Sequence, residues 1–114
     1  MSDERGDLLQ LLRGNGIGQW YVVTLNKGVT RGDHYHKRKV EKFVVLSGNV
    51  SIKLSCAAYP LLSRGFDVAA PNYRVVDVPP NYYHKLINNG DEPAIVLCWA
   101  SEPFDEFDQD TYRS

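Results

Sequence analysis

The feature that most restricts the fold of this chain is a series of short apolar or alternating runs separated by glycine and proline. The runs are rich in β-branched and aromatic residues, which favours strands joined by turns. They span residues 19–25, 42–46, 50–54, 74–78, 84–87 and 95–99. The segment SGN at 47–49 lies between two runs and is typical of a hairpin turn. Many short strands in 114 residues predict an all-β sandwich or barrel, as a single domain over residues 1–114.

Two segments fit this pattern less well. DLLQLLRG, residues 7–14, has leucines at helical spacing and a glycine placed like a helix C-cap, so its own pattern favours a short helix. Residues 56–73 have weak periodicity and are expected to form an irregular connection.

Composition argues against several classes of function. The net charge of −1 gives no electrostatic reason to expect binding to nucleic acid or to an anionic membrane. The longest apolar run, AIVLCWA at 94–100, is far shorter than a membrane span, and no signal-peptide pattern follows Met1. Cys56 and Cys98 lie in apolar contexts far apart in sequence, which favours buried free thiols over one disulfide. We therefore expect a cytoplasmic protein.

Residue types that bind metals cluster in RGDHYHKRKVEKFVVLSG, residues 31–48. His34 and His36 are two positions apart, so in a strand they share a face. Glu41 follows the basic turn candidate KRKV and is expected to begin the returning strand, which can bring it to the same point. His84 is the remaining one of three histidines and the expected fourth ligand. Imidazole and carboxylate together suit Zn, Mn, Fe or Ni better than Ca or Mg.

The spacing of these residues resembles the two motifs of the cupin superfamily, in the order in which cupins have them. The first motif is matched at Gly28, His34, His36, Glu41 and Gly48. The second is matched at Pro79, His84 and Asn88. The chain departs from the second motif where Asn81 and Tyr73 stand in place of glycines. The resemblance implies a cupin jelly roll.

Three blocks carry a narrower resemblance: DERGDLL, GVTRGDHYHKRKVEKFVVLSG and LCWASEPFDEFDQDTY. Together they resemble the C-terminal cupin domain of CapF-type capsular polysaccharide assembling proteins and related nucleotide-sugar enzymes. The DxRG and RGxHY elements also resemble dTDP-4-dehydrorhamnose 3,5-epimerases. By this resemblance, residues 3–11 form an opening strand, often paired across a dimer, and we prefer it to the helix.

The resemblance implies a zinc-dependent epimerase or isomerase that acts beside the ketone of a UDP-linked 4-keto-6-deoxy sugar in surface polysaccharide biosynthesis. It further implies a homodimer and a possible separate reductase, because the sequence lacks the reductase domain that precedes this cupin in those proteins. Two alternatives stay open: a cupin dioxygenase that uses the same ligand types for iron, and a non-catalytic sugar- or metabolite-binding cupin.

If all three histidines bind metal, the general base must be a different group. Tyr21, Tyr82 and Lys53 are candidates by residue type, whereas strand alternation directs Lys42 and Tyr83 away from the site. In the metal-free epimerases the histidine of the RGxHY element is itself the base, so without metal that role falls to His34.

Two arginines are candidates for binding a diphosphate, because a guanidinium matches the geometry of phosphate oxygens. Arg31 precedes the histidine pair and Arg5 lies in the DERG block. The basic run at 37–39 is expected to be a solvated turn, and the acidic tail at 105–110 a solvated or dimer-contact segment.

Overall fold

The computed structural model describes residues 2–113, which form two antiparallel β-sheets and, over that range, no helix. The strands are β1 (Ser2–Asp3), β2 (Gly6–Gly14), β3 (Gly18–Leu25), β4 (Thr30–Tyr35), β5 (Glu41–Ser47), β6 (Asn49–Cys56), β7 (Ser63–Ala69), β8 (Val75–Val78), β9 (Tyr82–Asn88), β10 (Ala94–Ala100) and β11 (Tyr112–Arg113). Residues 2–113 therefore contain no helix of the length and apolarity needed to cross a membrane.

The strands lie side by side in the order β1-β2-β3-β10-β5-β8 in one sheet and β11-β4-β9-β6-β7 in the other. Each of the six predicted runs coincides with a strand to within two residues at either end. Gly48, with a φ of 88°, forms the predicted hairpin turn between β5 and β6. The all-β jelly-roll prediction is confirmed.

Alternation along the strands places the apolar side chains between the two sheets. The buried core consists of Val23, Leu25, Phe43, Val45, Val50, Ile52, Leu54, Val68, Val76, Val78, Leu86, Ala94, Val96 and Cys98. Val23, Phe43 and Leu86 belong to this core and also line a cavity between the sheets. The cavity therefore lies directly against the core.

The helix suggested by the leucine spacing at 7–14 is wrong, and the opening strand implied by the family resemblance is confirmed. β2 pairs with β3 along its length, with Leu8 opposite Val23. Only Leu8 packs against the core, while Leu9, Leu11 and Leu12 stay 62%, 53% and 54% exposed. Hydrogen bonds to the neighbouring strand β3 determine the conformation of this segment, and hydrophobic periodicity within the segment does not include them.

The expected irregular connection at 56–73 is wrong in part, because it contains β7. This strand pairs with β6 over its whole length and lies at the sheet edge. It contributes only the buried Val68 and the partly buried Phe66 to the core. An edge strand with two inward apolar side chains gives a weak periodic signal.

Asn88 joins three backbone segments at the end of β9. Its Nδ2 donates to the carbonyl oxygens of Leu25 and Glu92, both at 2.9 Å, and its Oδ1 accepts from the Gly90 N–H at 2.9 Å. Because Asn88 is 2% exposed, Asn88→Ala leaves these groups unsatisfied. We expect it to lower the free energy of unfolding by about 2–4 kcal/mol in urea denaturation. The exposed neighbour Asn89→Ala is the control, and equal losses in both variants would contradict this role of Asn88.

Candidate functional site

A β-bulge in β4 directs two functional side chains into the barrel. The register with β9 is Arg31↔Leu86, Gly32↔Lys85 and His34↔His84, with a shift between Gly32 and His34. Residues three apart in a regular strand face opposite sides, yet the extra residue Asp33 lets Arg31 and His34 both face inward. Gly32 and Asp33 adopt φ values of 105° and 75° to make the bulge.

The structure brings the four predicted ligand residues together between the sheets. His34, His36 and Glu41 each offer one ligand atom within 4.8 Å of the others. The Nε2 atoms of His36 and His84 lie 2.7 Å and 3.5 Å from Oε1 of Glu41. The rings of His34 and His84 have centroids 4.5 Å apart. His36, Glu41 and His84 are buried and His34 is half-buried.

Several polar atoms of this cluster have no hydrogen-bond partner within residues 2–113. They are Nδ1 of His34, Oε1 of Glu41 and Nδ1 of His84. Nδ1 of His36 lies 2.7 Å from the carbonyl oxygen of Asp110, which can only accept, so this nitrogen donates. In the neutral imidazole, Nε2 of His36 and Oε1 of Glu41 then face each other with lone pairs. A proton or a cation between them removes the repulsion, so the cluster fits a divalent metal.

Burial and mutual contacts shift the protonation of the cluster. Burial, reinforced by the neighbouring imidazoles, lowers the pKa of His34 to about 4 and also lowers the pKa of His84. Burial alone would raise the pKa of Glu41, but the short contact with His36 and the surrounding imidazoles hold it below its usual value. Burial opposes charge on His36, yet its contact with Glu41 raises its pKa. His34 and His84 are thus neutral and Glu41 ionised near neutral pH, as metal binding requires.

The cluster lines a cavity of about 370 Å³ that also receives Tyr21, Arg5 and Arg31. Two other predicted residues lie elsewhere. Lys53 is exposed on the outer face of its sheet, opposite Lys85, and does not line the cavity. Tyr82 packs against the core.

Tyr21 lines the cavity and keeps its phenol proton near neutral pH. Burial, together with the nearby Cys98 and Glu41, raises the pKa of the Tyr21 phenol well above its usual value. A phenol with so high a pKa is not ionised near neutral pH, so Tyr21 cannot act as the base and donation of a proton is the role left to it. Cys56 and Cys98 are both free thiols, as predicted, although Cys56 is only partly buried.

Sequence reasoning missed three residues near the site. Arg113 pairs with His34 in the β11–β4 register and lines the cavity. Lys39 is 4% exposed, which corrects the expectation of a fully solvated basic turn. Asp110 is 8% exposed and contacts that turn, so the acidic tail is not solvated throughout. The tail and the turn are about 70 residues apart in the chain, and no short-range signal predicts their contact.

The sequence of this chain matches a known protein family. Residues 1–112 match the family model described as the polysaccharide biosynthesis C-terminal domain. The chain belongs to this family. It is 36% identical over 115 residues to UDP-2-acetamido-2,6-beta-L-arabino-hexul-4-ose reductase of Pseudomonas aeruginosa. The aligned region covers 97% of this chain and 30% of the relative.

Solved structures agree with this assignment. Capsular polysaccharide assembling protein CapF from Staphylococcus aureus superposes with a TM-score of 0.94 at 32% identity, over 99% of this chain and 33% of CapF. The chain therefore spans about a third of the length of these relatives. QdtA, a sugar 3,4-ketoisomerase from Thermoanaerobacterium thermosaccharolyticum, has a TM-score of 0.71 at 22% identity, over 97% of this chain and 89% of QdtA. At that identity, QdtA shows the shared fold alone.

Proposed function

We propose that this domain is a metal-dependent epimerase or isomerase that acts beside the ketone of a nucleotide-linked 4-keto-6-deoxy sugar in surface polysaccharide biosynthesis. The observation that carries the proposal is the cluster of three imidazoles and one carboxylate, with unsatisfied buried lone pairs, on the wall of a cavity that arginines also line. The Pseudomonas aeruginosa relative is named for a UDP-linked hexul-4-ose, and QdtA was crystallised with TDP.

His34, His36, Glu41 and His84 would hold the metal, for which zinc is our proposal and Fe, Mn or Ni the alternatives. A cation held there stabilises the negative charge that develops on a ketone oxygen when the neighbouring carbon loses a proton. The low pKa of His34, about 4, keeps its imidazole neutral and able to bind a metal at physiological pH.

The arginines of the cavity are our proposed diphosphate contacts. Arg31 faces inward from β4, and its guanidinium takes part in no ion pair within the described chain. Arg113 lies beside His34 with an exposed side chain. Arg5 also lines the cavity, but its Nε and Nη2 already donate to Oδ2 of Asp3, at 3.1 Å and 2.6 Å. Arg31 and Arg113 are therefore the freer cations.

Inverting a carbon centre requires a proton to return to the opposite face. Among the three non-histidine candidates, Tyr21 alone lines the cavity, and its high pKa keeps the phenol protonated. We assign to Tyr21 the return of that proton. The homodimer, the separate reductase and the cytoplasmic location stay predictions.

The test combines metal analysis with hydrogen exchange. We expect about one zinc per chain in the purified protein and its loss in His36→Ala. The wild type, in D₂O, should introduce deuterium beside the ketone of a UDP-linked 2-acetamido-4-keto-6-deoxy hexose, as followed by NMR. Lys53→Ala, on the outer face, is the control and should keep both properties.

Other outcomes would select a different function. Bound iron with substrate-dependent oxygen uptake would identify a dioxygenase. Bound metal and bound sugar without deuterium exchange would indicate a binding module. Full exchange by protein freed of metal would return the role of general base to His34.

A further inference from the structure

The turn between β4 and β5 is held by one carboxylate from the C-terminal tail. The backbone N–H groups of Lys37, Arg38 and Lys39 donate to the Asp110 side chain at 3.0, 2.9 and 3.0 Å. Oδ1 accepts the first bond and Oδ2 accepts the other two. Three successive N–H groups on one buried carboxylate fix the path of the chain from His36 to Glu41.

The main chain of the same residue contacts His36 directly. The carbonyl oxygen of Asp110 lies 2.7 Å from Nδ1 of His36, and Asp110 adopts a φ of 48°. A left-handed conformation is uncommon outside glycine, and Asp is among the residues that adopt it most readily. With the proton on Nδ1, the free lone pair of the imidazole lies on Nε2, which is directed at Glu41.

Further contacts keep this segment in place. Nζ of Lys39 donates to the carbonyl of Gln109 at 3.0 Å. Tyr112 stacks on Tyr35 with ring centroids 5.3 Å apart, and the Lys37 ammonium lies 4.4 Å from the Tyr112 ring centre. The tail is therefore attached on both sides of Asp110, and the carbonyl has a fixed position relative to His36.

We propose that Asp110 is a positioning residue for the metal centre, whose carboxylate fixes the turn and whose carbonyl holds His36 with Nε2 available to the metal. The inference rests on the metal site proposed above. Hydrogen-bond partners behind a metal-binding histidine set its tautomer and ring orientation, and their loss typically weakens metal affinity about 10–100-fold.

Asp110→Asn tests the carboxylate, because it keeps the size of the side chain and replaces one acceptor oxygen with an NH₂ donor. We expect its zinc affinity, measured by competition with a chelator, to fall about 10–100-fold while circular dichroism of the metal-free variant stays that of the wild type. Glu106→Gln is the matched control, since this exposed side chain lies on the same tail and its affinity should stay within about twofold of the wild type. Equal affinities of Asp110→Asn and the wild type, or an equal loss in both variants, would overturn the proposal.

A second measurement needs no variant. ¹⁵N NMR of the zinc-loaded wild type should show Nε2 of His36 bound to the metal and the proton of His36 on Nδ1. Zinc bound through Nδ1, with the proton on Nε2, would overturn the inference even if Asp110→Asn fails to fold. A wild type that binds no metal would refute the proposed function, whereas tight zinc binding by both proteins would refute only the role of Asp110.

Discussion

Glu41→Gln is expected to weaken zinc binding by at least about 100-fold, or roughly 2.8 kcal/mol. The substitution removes the single negative charge from a cluster whose other members, His34, His36 and His84, are imidazoles. It also places an NH₂ donor where an anionic ligand is needed. Chelator competition on the wild type and the variant measures the loss.

The metal-free form of the same variant should also lose stability. Glu41 is 3% exposed, and Nε2 of His36 lies 2.7 Å from its Oε1. Because this contact and the surrounding imidazoles hold the pKa of Glu41 below its usual value, the fold favours the ionised carboxylate, and the neutral glutamine should lower the free energy of unfolding of metal-free protein. Glu102→Gln is the control, since Glu102 lines the same cavity and pairs with Arg38 at 2.7 Å. Similar zinc losses in both variants would show that general charge, and not ligation, governs the affinity.

Gly32→Ala is expected to damage both stability and the site. A Cβ at this position would lie 2.5 Å from the carbonyl oxygen of His84, and the φ of 105° is one that L side chains rarely adopt. The backbone must move at the bulge, and this shifts His34 relative to His84. We expect the free energy of unfolding to fall by about 2–4 kcal/mol in urea denaturation, with loss of zinc binding.

Gly65→Ala is a matched control for this substitution. Gly65 lies in β7, where a Cβ would meet nothing within 4 Å and φ is outside the left-handed region. Its free energy of unfolding should change by less than about 1 kcal/mol. If Gly32→Ala were as stable as Gly65→Ala and kept its zinc, β4 would not need the bulge geometry described here.

Local patterns predicted much of the ligand cluster. The alternation of His34 and His36, and the place of Glu41 at the start of the returning strand, follow from strand geometry over a few residues. His84 was expected as the remaining histidine and by its place in the second motif, because nothing in its neighbourhood shows that β9 lies beside β4. The extra residue Asp33 was not predicted either, since a bulge depends on the partner strand and not on local composition.

The parts that sequence reasoning missed all depend on contacts that local periodicity does not include. The leucines of β2 look helical because periodicity does not include the hydrogen bonds to β3. Asp110 belongs to an acidic tail that looks solvated, and only the folded chain places it under the turn at 37–39. Arg113 lines the cavity for the same reason, through the pairing of β11 with β4.

The four proposed ligand residues do not come from one layer of the protein. Glu41 belongs to β5 in the six-stranded sheet, while His34 and His84 belong to β4 and β9 in the five-stranded sheet. An ion shared by all four would therefore act as a reversible cross-link between the sheets, at the end of the barrel where a cavity takes the place of packed side chains. Removal of the ion by a chelator would then destabilise this domain, as reduction destabilises a domain that is held together by a disulfide.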